Sequence, residues 1–273
     1  MIVNVKEMVE NKKNILKEQV EKTKRIGKTP KLAVILASND KASQIYVAKK
    51  RTICNEIGIE EVEYIYENDV TQEEIIEKIN ELNDDTSVSG ILVQLPLFKH
   101  LDSNEIINTI NANKDVDGLT AINVGKMNMG INSIIPCTPK GIMYVLDKLK
   151  TEYIGKKAVV VGRSNLVGKP IAQLLLERNA TVTICHSKTV DLKKYTKDAD
   201  ILIVACGKAK LITKDMIKKG STIIDVGINK TEEGNIVGDC DTIQIQKKAK
   251  YITPVPNGIG LTTVISLIEN TLG

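Results

Sequence analysis

Apolar positions in the first half of the chain alternate between two spacings. Leu32–Ala37, Val62–Tyr66 and Ser89–Leu95 are short, largely apolar runs that read as strands, the last stopped by Pro96. Between them, Lys41–Ile57 has helical spacing and ends at Gly58. Thr71 is placed to cap a helix over Gln72–Leu82, with Glu74 at the capping-box position. Asp102–Ile110 reads as a further helix. Strands alternating with helices predict a parallel sheet covered on its faces, and so an α/β fold.

Asn111–Pro136 is long, polar and Gly-rich, which suits a domain boundary. A helix is expected from Thr138-Pro139 to about Lys150. Lys156–Ser187 then reads as strand, tight Gly turn, helix and second strand, the opening of a dinucleotide-binding βαβ unit. Its strand is Ala158–Val161, Gly162 follows at once, and Leu166–Leu176 has helical spacing with Pro170 in its first turns. Further strands are expected at Ile201–Ala205, Ser221–Val226 and Tyr251–Thr253, and a last amphipathic helix at Thr262–Leu272.

The Gly-rich turn departs from G-x-G-x-x-G. Ser164 stands where the second Gly belongs, and Gly168 comes one residue late. An NAD site carries an acidic residue near the end of the second strand, where it bonds the ribose hydroxyls. Here that region reads Cys185-His186-Ser187-Lys188, with Arg163 in the turn. A cation and a hydroxyl beside that ribose suit a 2′-phosphate and favour NADP over NAD. Arg163 and Lys188 also fit ordinary surface charges.

Composition narrows the classes. At 273 residues and 42% hydrophobic, the chain suits one large or two medium domains with full cores. No window approaches the roughly 18 apolar residues of a membrane span, and the charged N-terminus lacks a signal-peptide core. Net charge is +4 from 38 basic and 34 acidic residues, interspersed rather than patched. With seven Tyr, one Phe and no Trp, this is no nucleic-acid footprint. Cys54, Cys137, Cys185, Cys206 and Cys240 are scattered, and the odd count indicates reduced thiols in a cytoplasm. The only histidines are His100 and His186, so no metal site or His-based triad is expected.

Candidate chemistry in the first half centres on Tyr46 and Lys50, spaced i, i+4 on one face of the first of these helices. Lys50 borders the stripe of Ile53 and Ile57. A lysine there loses hydration, which disfavours its charged form and makes it a candidate base. The same spacing fits a lysine stem lying over the core. Gln94 falls at the C-terminal end of a strand, where ligands gather in open parallel sheets. Asp115 and Asp117, in KDVDGL, fit either an Asx turn or a carboxylate facing ligand N–H donors. Asp239 and Asp241, in GDCD, read as turn residues.

SQIYVAKK, GILVQLPL, KDVDGLTAINVGK, PCTPKG, VVVGRSNLVGKP, IIDVGIN and TPVPNGIGLTT occur in this order. Together they make the chain resemble the bifunctional methylenetetrahydrofolate dehydrogenase/methenyltetrahydrofolate cyclohydrolase family, from about Lys31 to Leu272. The resemblance implies two α/β domains. Residues 1–137, with a returning C-terminal helix at 258–273, would form the folate-binding catalytic domain. Residues 138–257 would form a Rossmann-like NADP-binding domain. It implies NADP-dependent oxidation of 5,10-methylenetetrahydrofolate to the methenyl form, then hydrolysis to 10-formyltetrahydrofolate. Lys50 would be the key catalytic group, Tyr46 would stack near the folate, Gln94 would bond Lys50 and tune its protonation, and Asp117 would hold the pterin amino edge. Gly162, Arg163 and Ser164 would line the cofactor phosphates and ribose, Ser187 would sit near the 2′-phosphate, and Ile228 would touch the nicotinamide side. A cytoplasmic homodimer that meets neither nucleic acid nor membrane is implied.

The loop that commonly reads PVPGGVGPMT in this family carries Asn257 for a Gly and Leu261 for a Pro. Asn tolerates left-handed backbone angles, so the turn should survive. The order of elements argues against a short-chain dehydrogenase, in which the Gly-rich turn precedes its Tyr-x-x-x-Lys. A dehydrogenase-only member, or a non-catalytic NADP- and folate-binding protein, remains the alternative.

Overall fold

A computed structural model of the chain describes all 273 residues, except for the side chain of Ala42. Two compact units divide it. One comprises Asn11–Cys137 with Val264–Gly273, and the other Met1–Glu10 with Thr138–Thr263. They are called here the Lys50 unit and the Gly162 unit. The division differs from the expected bounds at two places: the first ten residues belong with the Gly162 unit, and so do residues 258–263.

Helix α1 (Val5–Arg25) leads into the Lys50 unit, followed by β1 (Lys31–Leu36), α2 (Lys41–Ile57), β2 (Glu60–Ile65), α3 (Gln72–Asp84), β3 (Gly90–Val93), α4 (Ser103–Thr109) and α5 (Ala121–Asn128). Its sheet has the order β2-β1-β3, parallel throughout. Strands β1 and β3 are buried nearly end to end, as their apolar runs require. Ile35, Ile75, Ile91, Ile106 and Phe98 lie in one core cluster. Asp40 caps α2 by accepting from the Ser43 N–H at 2.8 Å, and Gly58 closes it with φ 94°. The capping box of Thr71 and Glu74 forms as expected on α3. Helix α5 lies inside the stretch expected to be a linker.

The chain continues through α6 (Cys137–Lys148), β4 (Lys157–Val161), α7 (Gly168–Glu177), β5 (Thr181–Cys185), α8 (Leu192–Thr196), β6 (Ile201–Val204), β7 (Thr222–Asp225), the short pair β8 (Asn229–Lys230) and β9 (Ile236–Val237), α9 (Thr242–Ile245), β10 (Tyr251–Ile252) and α10 (Ile259–Leu272). The Gly162 unit is built on a parallel five-stranded sheet of order β10-β7-β6-β4-β5. Counted within the unit, this is 2-1-3-4-5 from the β5 edge, a doubly wound order whose switch point lies between β4 and β6. Val159, Leu202, Ile223, Ile245 and Ile252 lie in its core. The N-terminus joins this unit through Ile2, bridged to Ile252, and the terminal ammonium, which donates to Lys250 O at 2.9 Å.

From Val264 onward α10 belongs to the Lys50 unit. There Asn270 Nδ2 donates to Val116 O at 2.8 Å and Ile135 O at 3.0 Å, bracing the loop that carries Asp117. No described helix is long and apolar enough to cross a membrane.

Candidate active site

Lys50 sits on the buried face of α2 and is only 8% exposed. Its Nζ donates to Gln94 Oε1 at 2.8 Å. Gln94 follows β3, and its backbone N–H continues the ladder to Ile35 O at 2.9 Å. The Gln94 Nε2 donates to Leu95 O at 2.7 Å, which fixes the amide so that its oxygen faces the lysine. Burial lowers the Lys50 pKa, and Asp117, Cys137, Glu61 and Cys54 oppose that fall. Asp117 is half-buried, and burial raises its pKa against the pull of Lys50 and a hydrogen bond from Cys137. Tyr46 lies one turn before Lys50, half-buried, with its hydroxyl pKa raised by burial. The Lys50 unit therefore gathers Lys50, Gln94 and Asp117 around one amine, with Tyr46 on the same helix face.

The two aspartates of KDVDGL separate. Asp115 is buried and accepts from Thr120 N at 2.8 Å and Asn123 Nδ2 at 3.0 Å, which ties the loop to the start of α5 in place of the expected Asx turn. Asp117 keeps the electrostatic contact with Lys50.

In the Gly162 unit the residues expected at the cofactor lie at the C-terminal ends of parallel strands. Gly162 follows β4 with φ 139°, and its N–H donates to Cys185 O at 2.9 Å, at the end of β5. A Cβ at Gly162 would run into the Ala205 carbonyl beyond β6, so only glycine fits here. Ser164 Oγ accepts from the N–H groups of Val167 (3.1 Å) and Gly168 (3.3 Å), closing the turn into α7. Arg163 is exposed. Beyond β5, His186 N donates to Thr189 Oγ1 at 2.8 Å, and Ser187 stands exposed in this tight turn. Ile228 follows β7 and is 55% exposed. These residues follow β4, β5 and β7, at the end of the sheet where ligands of doubly wound folds gather.

Residues 3–117 match the family described as tetrahydrofolate dehydrogenase/cyclohydrolase, catalytic domain, and residues 136–273 match its NAD(P)-binding domain. The chain belongs to the tetrahydrofolate dehydrogenase/cyclohydrolase family. It is 47% identical over 271 residues to the "Bifunctional protein FolD" of Anoxybacillus flavithermus, covering 99% of this chain and 96% of that protein. Among solved structures, the bifunctional FolD methylenetetrahydrofolate dehydrogenase/cyclohydrolase from Campylobacter jejuni has a TM-score of 0.98 at 45% identity, covering 100% of this chain and 97% of that one. The dehydrogenase-cyclohydrolase of Trypanosoma brucei, solved with NADP cofactor and an inhibitor, has a TM-score of 0.95 at 34% identity, covering 100% and 96%.

In this family member the C-terminal loop keeps its turn. Asn257 adopts φ 69°, and Leu261 N donates to Gly258 O at 3.0 Å, a bond that proline could not make. Sequence reasoning missed Glu61 and Cys54 beside Lys50. Both Glu61 carboxylate oxygens are buried, burial raises the pKa of this carboxyl to about 7, and the neighbouring Cys54 thiol opposes that rise. Cys54 lies one turn after Lys50, the i, i+4 relation that could have flagged it. Asp225 and Asp239 were also missed as a buried pair. Asp225 ends β7, and the end of a parallel strand was the available signal.

Proposed function

We propose that this chain is a bifunctional enzyme of one-carbon folate metabolism. It oxidises 5,10-methylenetetrahydrofolate to 5,10-methenyltetrahydrofolate with NADP⁺ and hydrolyses the product to 10-formyltetrahydrofolate. The observation that carries the reading is the buried Lys50 amine held at 2.8 Å by a neutral amide oxygen.

The oxidised folate carries a cationic N–C–N centre, which a fixed ammonium would repel. Burial favours the neutral amine, and Gln94 orients it without adding a negative charge that would hold its proton. In the hydrolytic step, water attacks the methenyl carbon and Lys50 Nζ takes the water proton. Collapse of the adduct breaks one ring C–N bond: the leaving nitrogen takes up a proton, the adduct hydroxyl gives one up to become the carbonyl, and the formyl group stays on the other nitrogen. Tyr46 flanks the reacting carbon from the same helix face. Asp117 accepts from the pterin amino edge, and its charge keeps the Lys50 pKa from falling further.

NADP⁺ bound to the Gly162 unit supplies the hydride acceptor. Gly162 and the N-terminus of α7 would receive its phosphates, Ser164 shapes that turn, Arg163 and Ser187 would hold the 2′-phosphate, and Ile228 would border the nicotinamide. The fit of this unit to a dinucleotide rests on the tight turn from β4 through Gly162 and Ser164 into the N-terminus of α7, and on a Cys185–Lys188 segment without a carboxylate.

We further infer a cytoplasmic homodimer. The β5 edge of the sheet supports the dimer, with Ile184 on that strand 42% exposed. The five free cysteines support the compartment. Mixing the protein with methylenetetrahydrofolate and NADP⁺ tests the activity. Growth of NADPH absorbance with transient methenyl absorbance is expected, and neither signal appearing would refute it.

A further inference from the structure

Two buried carboxylates organise the loops beyond β6 and β7. Asp225 and Asp239 are both 0% exposed. Asp225 accepts from Gly227 N (3.1 Å), Asp239 N (2.9 Å) and Cys240 N (2.9 Å), which seats the segment around Asp239 against the end of β7. Asp239 then reaches two further loops. Its Oδ2 accepts from Cys206 N (2.7 Å) and Gly207 N (3.0 Å), just beyond β6. Its Oδ1 accepts from Lys208 N (2.8 Å) and from Asn229 Nδ2 (2.8 Å), just beyond Ile228. A Cβ at Gly227 would collide with the Asp239 carboxylate, so glycine is what lets the two approach.

We infer that Asp239 is a positioning residue for the hydride-transfer half-reaction, its carboxylate fixing the loop after β6 against the loop that presents Ile228 to the nicotinamide. This rests on the reading of Ile228 as the nicotinamide side of the cofactor site, and it assigns the loop after β6 to the same side. Ligands in doubly wound sheets gather beyond these strand ends, so the spacing of the two loops sets where the nicotinamide ring lies. Both carboxylate oxygens are committed to N–H donors. An amide in place of the carboxylate would set an NH2 against at least one pair of those donors, although it has nearly the same shape.

Asp239→Asn in the full-length protein tests the inference, with both half-reactions assayed separately. The dehydrogenase is expected to lose about tenfold or more in kcat/KM for NADP⁺, whereas cyclohydrolase turnover of supplied methenyltetrahydrofolate without NADP⁺ stays within about twofold. Dehydrogenase within twofold of wild type, or both activities falling together, would overturn it. Asn229→Ala, which removes a single donor at a half-buried position, guards against a folding failure. It is expected to lower the dehydrogenase alone, by about threefold, and no selective loss would count against the clamp. Ile228→Ala separates the two layers of the inference. An unchanged dehydrogenase in that variant removes the nicotinamide reading, and the inference with it. A loss there with none in Asp239→Asn overturns the clamp alone.

Discussion

Lys50 Nζ and Gln94 Oε1 meet at 2.8 Å, and the other end of the same amide is tied to Leu95 O at 2.7 Å. The lysine thus has an acceptor that is neutral and cannot rotate away. Burial pushes its pKa down, and no carboxylate hydrogen-bonds to Nζ to restore it.

Exchanging that acceptor for a charged one should be felt in the pH profile. In Gln94→Glu the new carboxylate favours the ammonium and raises the Lys50 pKa. If hydrolysis proceeds through the neutral amine as proposed, its rate should then rise with pH along a limb displaced upward by about one unit or more. An unshifted limb would separate Gln94 from control of Lys50.

The proposed role of Arg163 in cofactor choice is open to a direct test. Its exposed guanidinium stands in the turn after β4, beside the end of β5, where no carboxylate competes for a ribose. Arg163→Ala should weaken NADP⁺ binding by about tenfold and leave NAD⁺ binding nearly unchanged. Isothermal titration with both cofactors checks this, and equal losses would remove the 2′-phosphate contact.

Much of this architecture is carried by short-range signals. The bounds of α2, its stop at Gly58 and the capping box on α3 depend on residues a few positions apart, and each forms where the local pattern puts it. Helix α5 was hidden because AINVGKMN holds a glycine and two asparagines within a polar stretch, while its start depends on Thr120 accepting from Asn123 N at 3.3 Å. The placement of the first ten residues was illegible for another reason. It depends on pairing with residues near Lys250, at the far end of the sequence. Lys50 and Gln94 could be singled out by face and strand end, but their hydrogen bond joins residues 44 apart in sequence. Asp239 read as a turn because the groups it binds come from segments that only the fold assembles.

Asp225 should leave a signature in stability. Burial raises its pKa from the ordinary 3.8 to about 6, opposed by three backbone N–H donors. The folded state therefore binds a proton more tightly than the unfolded chain. The resulting stability is fully present below about pH 4 and is lost as pH rises through about 6, by about 3 kcal/mol in all. Urea midpoints of wild type and Asp225→Asn should differ in a pH-dependent way across that window, with the wild type losing ground as pH rises, and run parallel above about pH 7. Parallel curves throughout would show that the carboxyl does not titrate there.

Asn270 anchors the C-terminal helix in the Lys50 unit, donating to Val116 O and Ile135 O, beside the Lys12–Glu269 ion pair at 2.7 Å. Asn270→Ala leaves the buried Val116 O with the Cys137 thiol as its side-chain donor and takes a donor from the half-buried Ile135 O, and should lower stability by about 1–3 kcal/mol. Chemical denaturation measures this, and a change under about 0.5 kcal/mol would mean that water replaces the amide without loss.

The central claim is that the Lys50 amine performs the hydrolysis while the other unit binds the cofactor. Parallel assays of cyclohydrolase turnover and NADP⁺ binding on wild type and Lys50→Met test it most directly. The account predicts hydrolysis reduced by a factor of about 100 or more, with NADP⁺ affinity within about twofold of wild type. Cyclohydrolase running at the full wild-type rate in Lys50→Met would contradict it.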